Sequence, residues 1–234
     1  MSEGAEQHHQ HRDVTGGWLR PSVFGAMDGL VSNFALIAGV AGGSANTKVI
    51  ALAGIAGLAA GAFSMAGGEY VSVASQRELA LAEIAVERRE LERNPEAEQE
   101  ELAQVFVNRG VTPELAAEVA RQISENPAQA LDVHAQSELG VDPHDLPSPR
   151  VAAGSSFLSF GVGAFLPLVP YLLGVTSLWV SAVLSCLALF GAGALVSRVT
   201  ARSWWYSGLR QLVVGVVAAG LTFGLGNLIG GAGL

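Results

Sequence analysis

Cysteine and lysine are almost absent from this chain. Among its 234 residues, Cys186 is the one cysteine and Lys48 the one lysine. A single cysteine excludes an intrachain disulfide, and the apolar run around it predicts a buried, unreactive thiol. Charged residues are also scarce, at 15%, whereas half of the residues are hydrophobic and 29 are glycine. This combination is typical of a membrane protein with several helices, because small residues let helices pack closely in lipid.

Three further absences narrow the class of protein. Residues 1–20 contain no apolar core of the signal-peptide type, so we expect the first membrane span to direct insertion. The sequence shows no alternation of apolar and polar residues of the kind found in β-strands, and it contains no repeat of solenoid length. These two absences predict an all-α fold. The chain also lacks a nucleophile–base pair, a phosphate-binding loop and a His/Cys metal motif. We therefore predict that it is not an enzyme.

Five apolar runs are long enough to cross a hydrocarbon core, which takes about 20 helical residues. They cover about residues 21–41, 49–75, 151–173, 177–196 and 209–229. The first two form a membrane segment at 21–75, and the last three form another at 151–234. The third span contains Pro167 and Pro170, which we expect to break the helix and free backbone carbonyls. Five spans place the two termini on opposite sides of the membrane.

The arginines predict the orientation of these spans. With the N-terminus in the cytosol, seven arginines near span ends lie inside and only Lys48 lies outside. These arginines are Arg12, Arg20, Arg77, Arg150, Arg198, Arg202 and Arg210. The aromatic cluster at 204–206, in a loop, then forms an interfacial belt on the inner face. Residues 1–20 are interpreted as a disordered cytosolic tail in which His8, His9 and His11 are solvated, with metal binding by these three histidines as the alternative.

Acidic residues are concentrated between the second and third spans. Residues 76–150 hold thirteen Glu and three Asp against seven Arg. This charge favours cations as partners and argues against nucleic acid. Asn94, Thr112 and Asn126 each precede a proline, which predicts capped helices that begin at 95, 113 and 127 after a stalk helix ending near 93. Gly110 and Gly140 stand where helix ends are expected. The small core of this cytosolic helical domain is predicted from Leu102, Val105, Phe106, Leu115, Val119, Ile123 and Leu131.

The spacing of certain glutamates predicts a metal site in this domain. Glu87 and Glu90 share a helix face, and Glu98 and Glu101 repeat the spacing on the next helix. Glu138 lies on the last helix before the chain returns to the membrane. Converging carboxylates form an oxygen-rich site for Fe²⁺ or Mn²⁺. The alternative is a solvated acidic face, and we assign four other glutamates to such a surface: Glu83, Glu92, Glu96 and Glu100.

The membrane spans contain a second candidate set. Asp28 and Glu69 lie at similar depths from the cytosolic ends of the first two spans, and Met65 is one turn deeper than Glu69. Two carboxylates and a thioether can pass an ion between oxygen and sulfur ligands. The alternatives are ordinary packing for Met65 and carboxylates that reach water at helix ends. The first span also contains Asn33, whose polar amide side chain is unfavourable in lipid. The pairs Gly25/Gly29 and Gly57/Gly61 predict close helix packing, within a subunit or across a two-fold interface.

From residue 21 onward the sequence resembles the vacuolar iron transporter family. Three motifs and the glutamate spacing carry the resemblance: FGAMDGLVSNFALIAGVAGG, AGAFSMAGGEYVSVASQRE and FLPLVPYLL. The resemblance implies a homodimer of five-helix subunits with the ion path at the dimer interface. It also implies export of Fe²⁺, Mn²⁺ and related ions from the cytosol in exchange for protons.

The family's metal positions carry over residue by residue. Asp28 and Met65 match its metal-handling positions in the membrane. The cytosolic glutamates match its metal-binding ones: Glu87, Glu90, Glu98, Glu101 and Glu138. Where some members have a methionine pair, this chain has His134 and Ala135, and His134 is a substitute nitrogen ligand. The ferritin-like domain of some related exporters is missing.

The sequence therefore predicts a proton-coupled exporter of divalent iron or manganese, with the ion as cargo and no tightly bound cofactor. The predicted membrane is a prokaryotic cell membrane, with a vacuolar membrane as the alternative. The competing function is a membrane-anchored metal-binding or sensing protein without net transport. The pair Asp28 and Glu69 separates the two, because an anchor does not need carboxylates in the membrane.

Overall fold

The computed structural model describes residues 17–200 and 202–232, and every regular element in these ranges is helical. This confirms the all-α prediction for the described residues. The helices are α1 Leu19–Gly43, α2 Thr47–Arg93, α3 Pro95–Asn108, α4 Pro113–Ser124, α5 Pro127–His134, α6 Pro149–Phe165, α7 Val169–Leu172, α8 Leu178–Thr200 and α9 Trp204–Gly231. A π turn, Ala135–Leu139, follows α5, and a 3₁₀ turn, Leu166–Leu168, joins α6 to α7. The histidines of the predicted tail lie outside the described residues.

Five of these helical stretches are long and apolar enough to cross a membrane, as predicted. They are α1, α2, Pro149–Leu172, Leu178–Arg198 and α9. Two boundaries differ from the prediction. The helix of the first span already begins at Leu19, and the aromatic cluster Trp204–Tyr206 lies in the first turn of α9 rather than in a loop. The predicted loop is shorter because α8 continues to Thr200.

The chain divides into two compact units. One is Val71–Ser148, and the other consists of the described residues on either side of it. The predicted acidic domain, 76–150, overlaps almost entirely with the first of these. We call Val71–Ser148 the acidic unit and the remainder the membrane unit.

Helix α1 is the centre of the membrane unit and packs against α6, α8 and α9. Leu30, Phe34 and Ala38 on α1 form a core cluster with Leu189 and Ala219. Glycines allow the close approaches. A Cβ at Gly29 would collide with the carbonyl of Phe160, and one at Gly61 would collide with the Phe160 ring. The two small-residue pairs therefore pack within the chain.

The prolines break the third span, and two buried side chains take up the freed carbonyls. Pro167 lies in the 3₁₀ turn, and Pro170 lies in α7. Asn33 Nδ2 donates to the Ala164 carbonyl at 2.6 Å, and Ser181 Oγ donates to the Pro167 carbonyl at 2.6 Å. The predicted break is confirmed. Asn33 is 1% exposed, so its amide serves a backbone acceptor rather than facing lipid.

Cys186 and one predicted core residue differ from expectation. Cys186 is half-buried rather than buried. In the acidic unit, Leu115 is 56% exposed, although it was predicted to lie in the core. Helix α4 turns its small face inward, through Ala116 and Ala120, and this places the neighbouring Leu115 outside. Leu102 is fully buried, as predicted.

The three short helices begin at the predicted prolines, but only one predicted side-chain cap forms. Asn126 Oδ1 accepts from the backbone N–H groups of Ala128 and Gln129. Asn94 and Thr112 make no side-chain cap. Asn94 Nδ2 donates instead to Glu90 Oε2 at 3.1 Å. Gly110 and Gly140 have φ of +95° and +66°, the left-handed conformation expected after a helix end.

Candidate metal site

A π turn brings a histidine and a glutamate together inside the acidic unit. His134 is the last residue of α5, and Glu138 lies in the π turn Ala135–Leu139. The two side chains meet, with His134 Nδ1 and Glu138 Oε1 2.9 Å apart. Gly140 closes the turn, since its N–H donates to the Ala135 carbonyl. Single π turns occur frequently at functional sites.

Carboxylates from two other helices approach the same imidazole nitrogen. Glu87 Oε1 of α2 lies 3.0 Å from His134 Nδ1, and Glu98 Oε2 of α3 lies 3.7 Å from it. The His134 side chain is 0% exposed. Glu87, His134 and Glu138 each offer a ligand atom, and these atoms all lie within 4.8 Å of one another. One nitrogen and two oxygens are thus close enough to bind a single cation.

Electrostatics link the remaining predicted glutamates to this cluster. Burial raises the pKa of Glu87, and the charges of Glu138, Glu98 and Glu101 raise it further, whereas His134 opposes them. Burial also raises the pKa of Glu98, with Glu101 as the largest charge acting in the same direction. The Glu138 and Glu90 charges add to the rise.

Glu87, Glu98, Glu138 and His134 therefore form one cluster, which we call the carboxylate–histidine cluster. Glu90 and Glu101 make no recorded contact with it among the described residues, and their charges act on its carboxylates from nearby. The four glutamates assigned to the solvated surface are exposed: Glu83, Glu92, Glu96 and Glu100. Glu138 is exposed as well, so its contact with His134, and not its exposure, separates it from these four.

The cluster is chemically suited to a divalent cation. Carboxylates close to one another repel, and this repulsion is relieved by protons or by a cation. Oxygen donors together with one imidazole nitrogen match Fe²⁺, Mn²⁺ and the neighbouring transition metals. Sequence reasoning missed the central place of His134 and found it only as a departure from a family pattern. The π turn that positions Glu138 has no recognisable signature in Ala135–Leu139.

The candidate residues of the membrane unit form no comparable cluster among the described residues. Asp28 of α1 and Glu69 of α2 are half-buried, and the structure records no hydrogen bond or ion pair for either among its described residues. Met65 packs against a cluster of Ala62, Phe160 and Ala164. This contact is the packing that the alternative reading of Met65 predicted. A role for these three residues in ion transfer stays a prediction.

Known proteins resemble this chain over almost its full length. The profile of the VIT family matches residues 19–227. The "Vacuolar iron transporter" of Acanthamoeba castellanii is 38% identical over 94% of this chain and 82% of its own length. "Vacuolar iron transporter 1" of Arabidopsis thaliana is 31% identical over 95% of this chain and 90% of its own length. "Vacuolar iron transporter 2" of Oryza sativa subsp. japonica is 30% identical over 96% of this chain and 92% of its own length.

These matches cover both units, including α2 and the helices that carry the carboxylate–histidine cluster. The relatives' names describe transporters rather than enzymes, which is consistent with the prediction that this chain is not an enzyme. Their names together with the five apolar helices identify a multi-pass membrane protein that transports metal. The chain belongs to the VIT family of vacuolar iron transporters.

Proposed function

We propose that this protein exports Fe²⁺ or Mn²⁺ from the cytosol in exchange for protons. The observation that carries the proposal is the carboxylate–histidine cluster, in which the carboxylates of Glu87, Glu98 and Glu138 converge on the buried imidazole of His134. A divalent cation that binds such a cluster relieves the repulsion between its carboxylates and so lowers the free energy. Protonation of the carboxylates releases the cation. The acidic unit is then the cytosolic capture site.

The membrane residues complete the proposed route. Asp28, Met65 and Glu69 accept the dehydrating ion in turn, with oxygen ligands first and the sulfur of Met65 deeper in the span. Protons that reach the two carboxylates from the outer side compete with the metal and release it. The path lies at the interface of a homodimer. Helices α2 and α9 support this placement, because most of their apolar surface is exposed in the single chain.

The proposed partners are divalent ions, protons, the lipid bilayer and a second copy of the chain, with no nucleic acid. The N-terminus and the acidic unit lie in the cytosol. The sequence by itself predicts a prokaryotic cell membrane, but the relatives come from an amoeba and plants and are named for the vacuole. They lend the prokaryotic assignment no support, and we propose a vacuolar-type membrane instead.

Flux through reconstituted protein tests this function. Protein in proteoliposomes with an imposed pH gradient should move Fe²⁺ or Mn²⁺, detected by a dye sensitive to these ions. Asp28→Asn keeps the size of the side chain but removes its charge, so it should abolish flux and leave metal binding by the acidic unit nearly unchanged. Glu83→Gln, an exposed glutamate of α2, is the matched control and should transport normally.

The outcomes separate the two candidate functions. Undiminished flux in Asp28→Asn would disprove the role of Asp28 in the path. Metal binding without any flux in the unmutated protein would instead favour a membrane-anchored sensor.

A further inference from the structure

The acidic unit contains no sulfur ligand. The three methionines are Met1, Met27 and Met65, and the one cysteine is Cys186, so all four lie outside Val71–Ser148. The only side chains in this unit that offer a soft or borderline donor are those of its two histidines, His134 and His144. The metal preference of the carboxylate–histidine cluster thus depends on whether an imidazole takes part.

We propose that Nδ1 of His134 is a metal ligand, and that it makes this site prefer Fe²⁺, Co²⁺ and Zn²⁺ to Mn²⁺. The proposal rests on the function proposed above and specifies the cargo of that same site. Three observations carry it: the burial of the ring, the position of Nδ1 and the freedom of Nε2.

Burial and position make His134 the centre of the site. The ring is 0% exposed, and its Nδ1 lies 2.9 Å from Glu138 and 3.0 Å from Glu87. A cation bound by these two carboxylates is therefore within reach of Nδ1. The Glu98 oxygen, 3.7 Å from Nδ1, supplies a further ligand after a small shift.

The other ring nitrogen leaves Nδ1 available. His134 Nε2 is buried and has no hydrogen-bond partner among the described residues. Without a cation, the Glu87 and Glu138 carboxylates accept from Nδ1–H, and a cation that binds between them takes the place of this proton. The ring can carry its proton on Nε2 and turn the lone pair of Nδ1 toward a cation, and the three carboxylates favour a cation at that point.

A nitrogen ligand changes the order of affinities. Imidazole suits iron, zinc and their neighbours, whereas all-oxygen sites suit Mg²⁺, Ca²⁺ and Mn²⁺. Affinity for nitrogen-containing sites rises from Mn²⁺ through Fe²⁺ to Co²⁺, so one imidazole widens the gap between Mn²⁺ and its heavier neighbours. A carboxylate cluster alone would bind Mn²⁺ and Co²⁺ with more similar affinities.

A purely structural role for His134 makes a different prediction. An imidazolium that only neutralises the surrounding carboxylates would affect all divalent ions alike. The discriminating quantity is therefore the ratio of Co²⁺ to Mn²⁺ affinity, not either affinity by itself.

The test uses the full-length protein in detergent with His8, His9 and His11 replaced by alanine, so that the tail offers no imidazole. Calorimetric titration should give a Co²⁺ affinity about tenfold or more above that for Mn²⁺. His134→Gln should lower Co²⁺ affinity by about tenfold and Mn²⁺ affinity by much less. His144→Ala is the matched control, since His144 is 77% exposed and pairs with Asp132 at 3.1 Å; its Co²⁺/Mn²⁺ ratio should not change.

A spectroscopic measurement covers the case in which His134→Gln fails to fold. Pulsed electron paramagnetic resonance of Mn²⁺ bound to the unmutated protein should show coupling to a directly bound imidazole nitrogen. The coupling should persist in His144→Ala and vanish in His134→Met. Absence of nitrogen coupling in the unmutated protein, or equal losses of Co²⁺ and Mn²⁺ affinity in His134→Gln, would overturn the proposal.

Failure of the transport function is distinguishable from failure of this inference. Binding and nitrogen coupling are measured at equilibrium, and neither requires flux. Suppose the protein shows the expected ratio of Co²⁺ to Mn²⁺ affinity but no flux in proteoliposomes. His134 would then still be a metal ligand, and the proposal that the protein is an exporter would be wrong.

Discussion

At the scale of the residue, the carboxylates of Glu87 and Glu98 are held in an environment that opposes their charge. Their pKa values are raised first by burial and then by neighbouring glutamates, and the imidazole of His134 only partly compensates. Buried charges of one sign reduce the stability of a fold unless another function retains them. A cation that binds the folded state and not the unfolded chain removes the repulsion and stabilises the protein by mass action.

This arrangement predicts a pH dependence with a definite sign. The folded-state pKa of Glu87 is raised above its ordinary value of 4.5, so the folded state binds the proton more tightly than the unfolded chain. The penalty is therefore absent below about pH 4.5 and complete above the folded-state pKa. Glu87→Gln should raise the melting temperature of the metal-free protein at pH 8, with a smaller gain at pH 5.

Thermal unfolding in detergent, followed by tryptophan fluorescence, measures this gain. Glu92→Gln, at an exposed position of the same helix, should change the melting temperature little at either pH. Saturating Mn²⁺ should stabilise the unmutated protein more than the Glu87→Gln variant. A loss of stability in Glu87→Gln that is independent of pH would contradict the argument and indicate a packing role for this side chain.

At the scale of the element, two irregular turns determine the geometry of the candidate metal site and the shape of the third membrane span. The π turn after α5 places Glu138 beside His134, and the 3₁₀ turn after α6 interrupts the third membrane span. Backbone groups freed inside a membrane need a partner from a neighbouring helix. Ser181 of α8 supplies one of these partners for the Pro167 carbonyl.

Two serines of α8 offer a matched test of that partnership. Ser181 and Ser185 are both 0% exposed, but Ser185 Oγ has no hydrogen-bond partner among the described residues. Ser181→Ala should destabilise the protein by about 0.6 kcal/mol, the average for such bonds in membranes. Ser185→Ala loses no bond and should be neutral. Melting temperatures of the two variants in the same detergent compare them, and equal losses would show that the serines act through packing alone.

At the scale of the whole molecule, the arginine distribution predicts the orientation in the membrane. Seven arginines near span ends lie on the side assigned to the cytosol and one lysine lies opposite, which predicts an N-terminus inside and a C-terminus outside. A cysteine introduced at Leu234 in a Cys186→Ser background should react with an impermeant thiol reagent added to sealed vesicles whose cytosolic side faces inward. A cysteine introduced at Ser2 should react only after the membrane is opened.

The reverse labelling pattern would overturn the orientation and the cytosolic placement of the acidic unit together. It would also reverse the direction of the proposed transport. The carboxylate–histidine cluster would remain a candidate metal site under either orientation, because its geometry lies entirely within Val71–Ser148.

The sequence by itself determined the features that arise from local signals. Apolar length predicted five spans, and the prolines predicted both the starts of α3, α4 and α5 and the break of the third span. These signals act within a few residues along the chain, through the missing N–H of proline and the periodicity of helices. The resemblance to the family could be found from the sequence because short motifs, each a local run of residues, carry it.

Only the tertiary structure decided which of these residues meet. His134 lies among the carboxylates of the cluster. Ala116 and Ala120 face the core of the acidic unit, and Leu115 therefore faces outward. Asn33 donates a hydrogen bond to the Ala164 carbonyl. Asn33 and Ala164 are 131 positions apart, and no local pattern specifies such a contact. Helix propensity sets where an element begins, but the packing of complete elements sets which faces converge and hence which donors form the site.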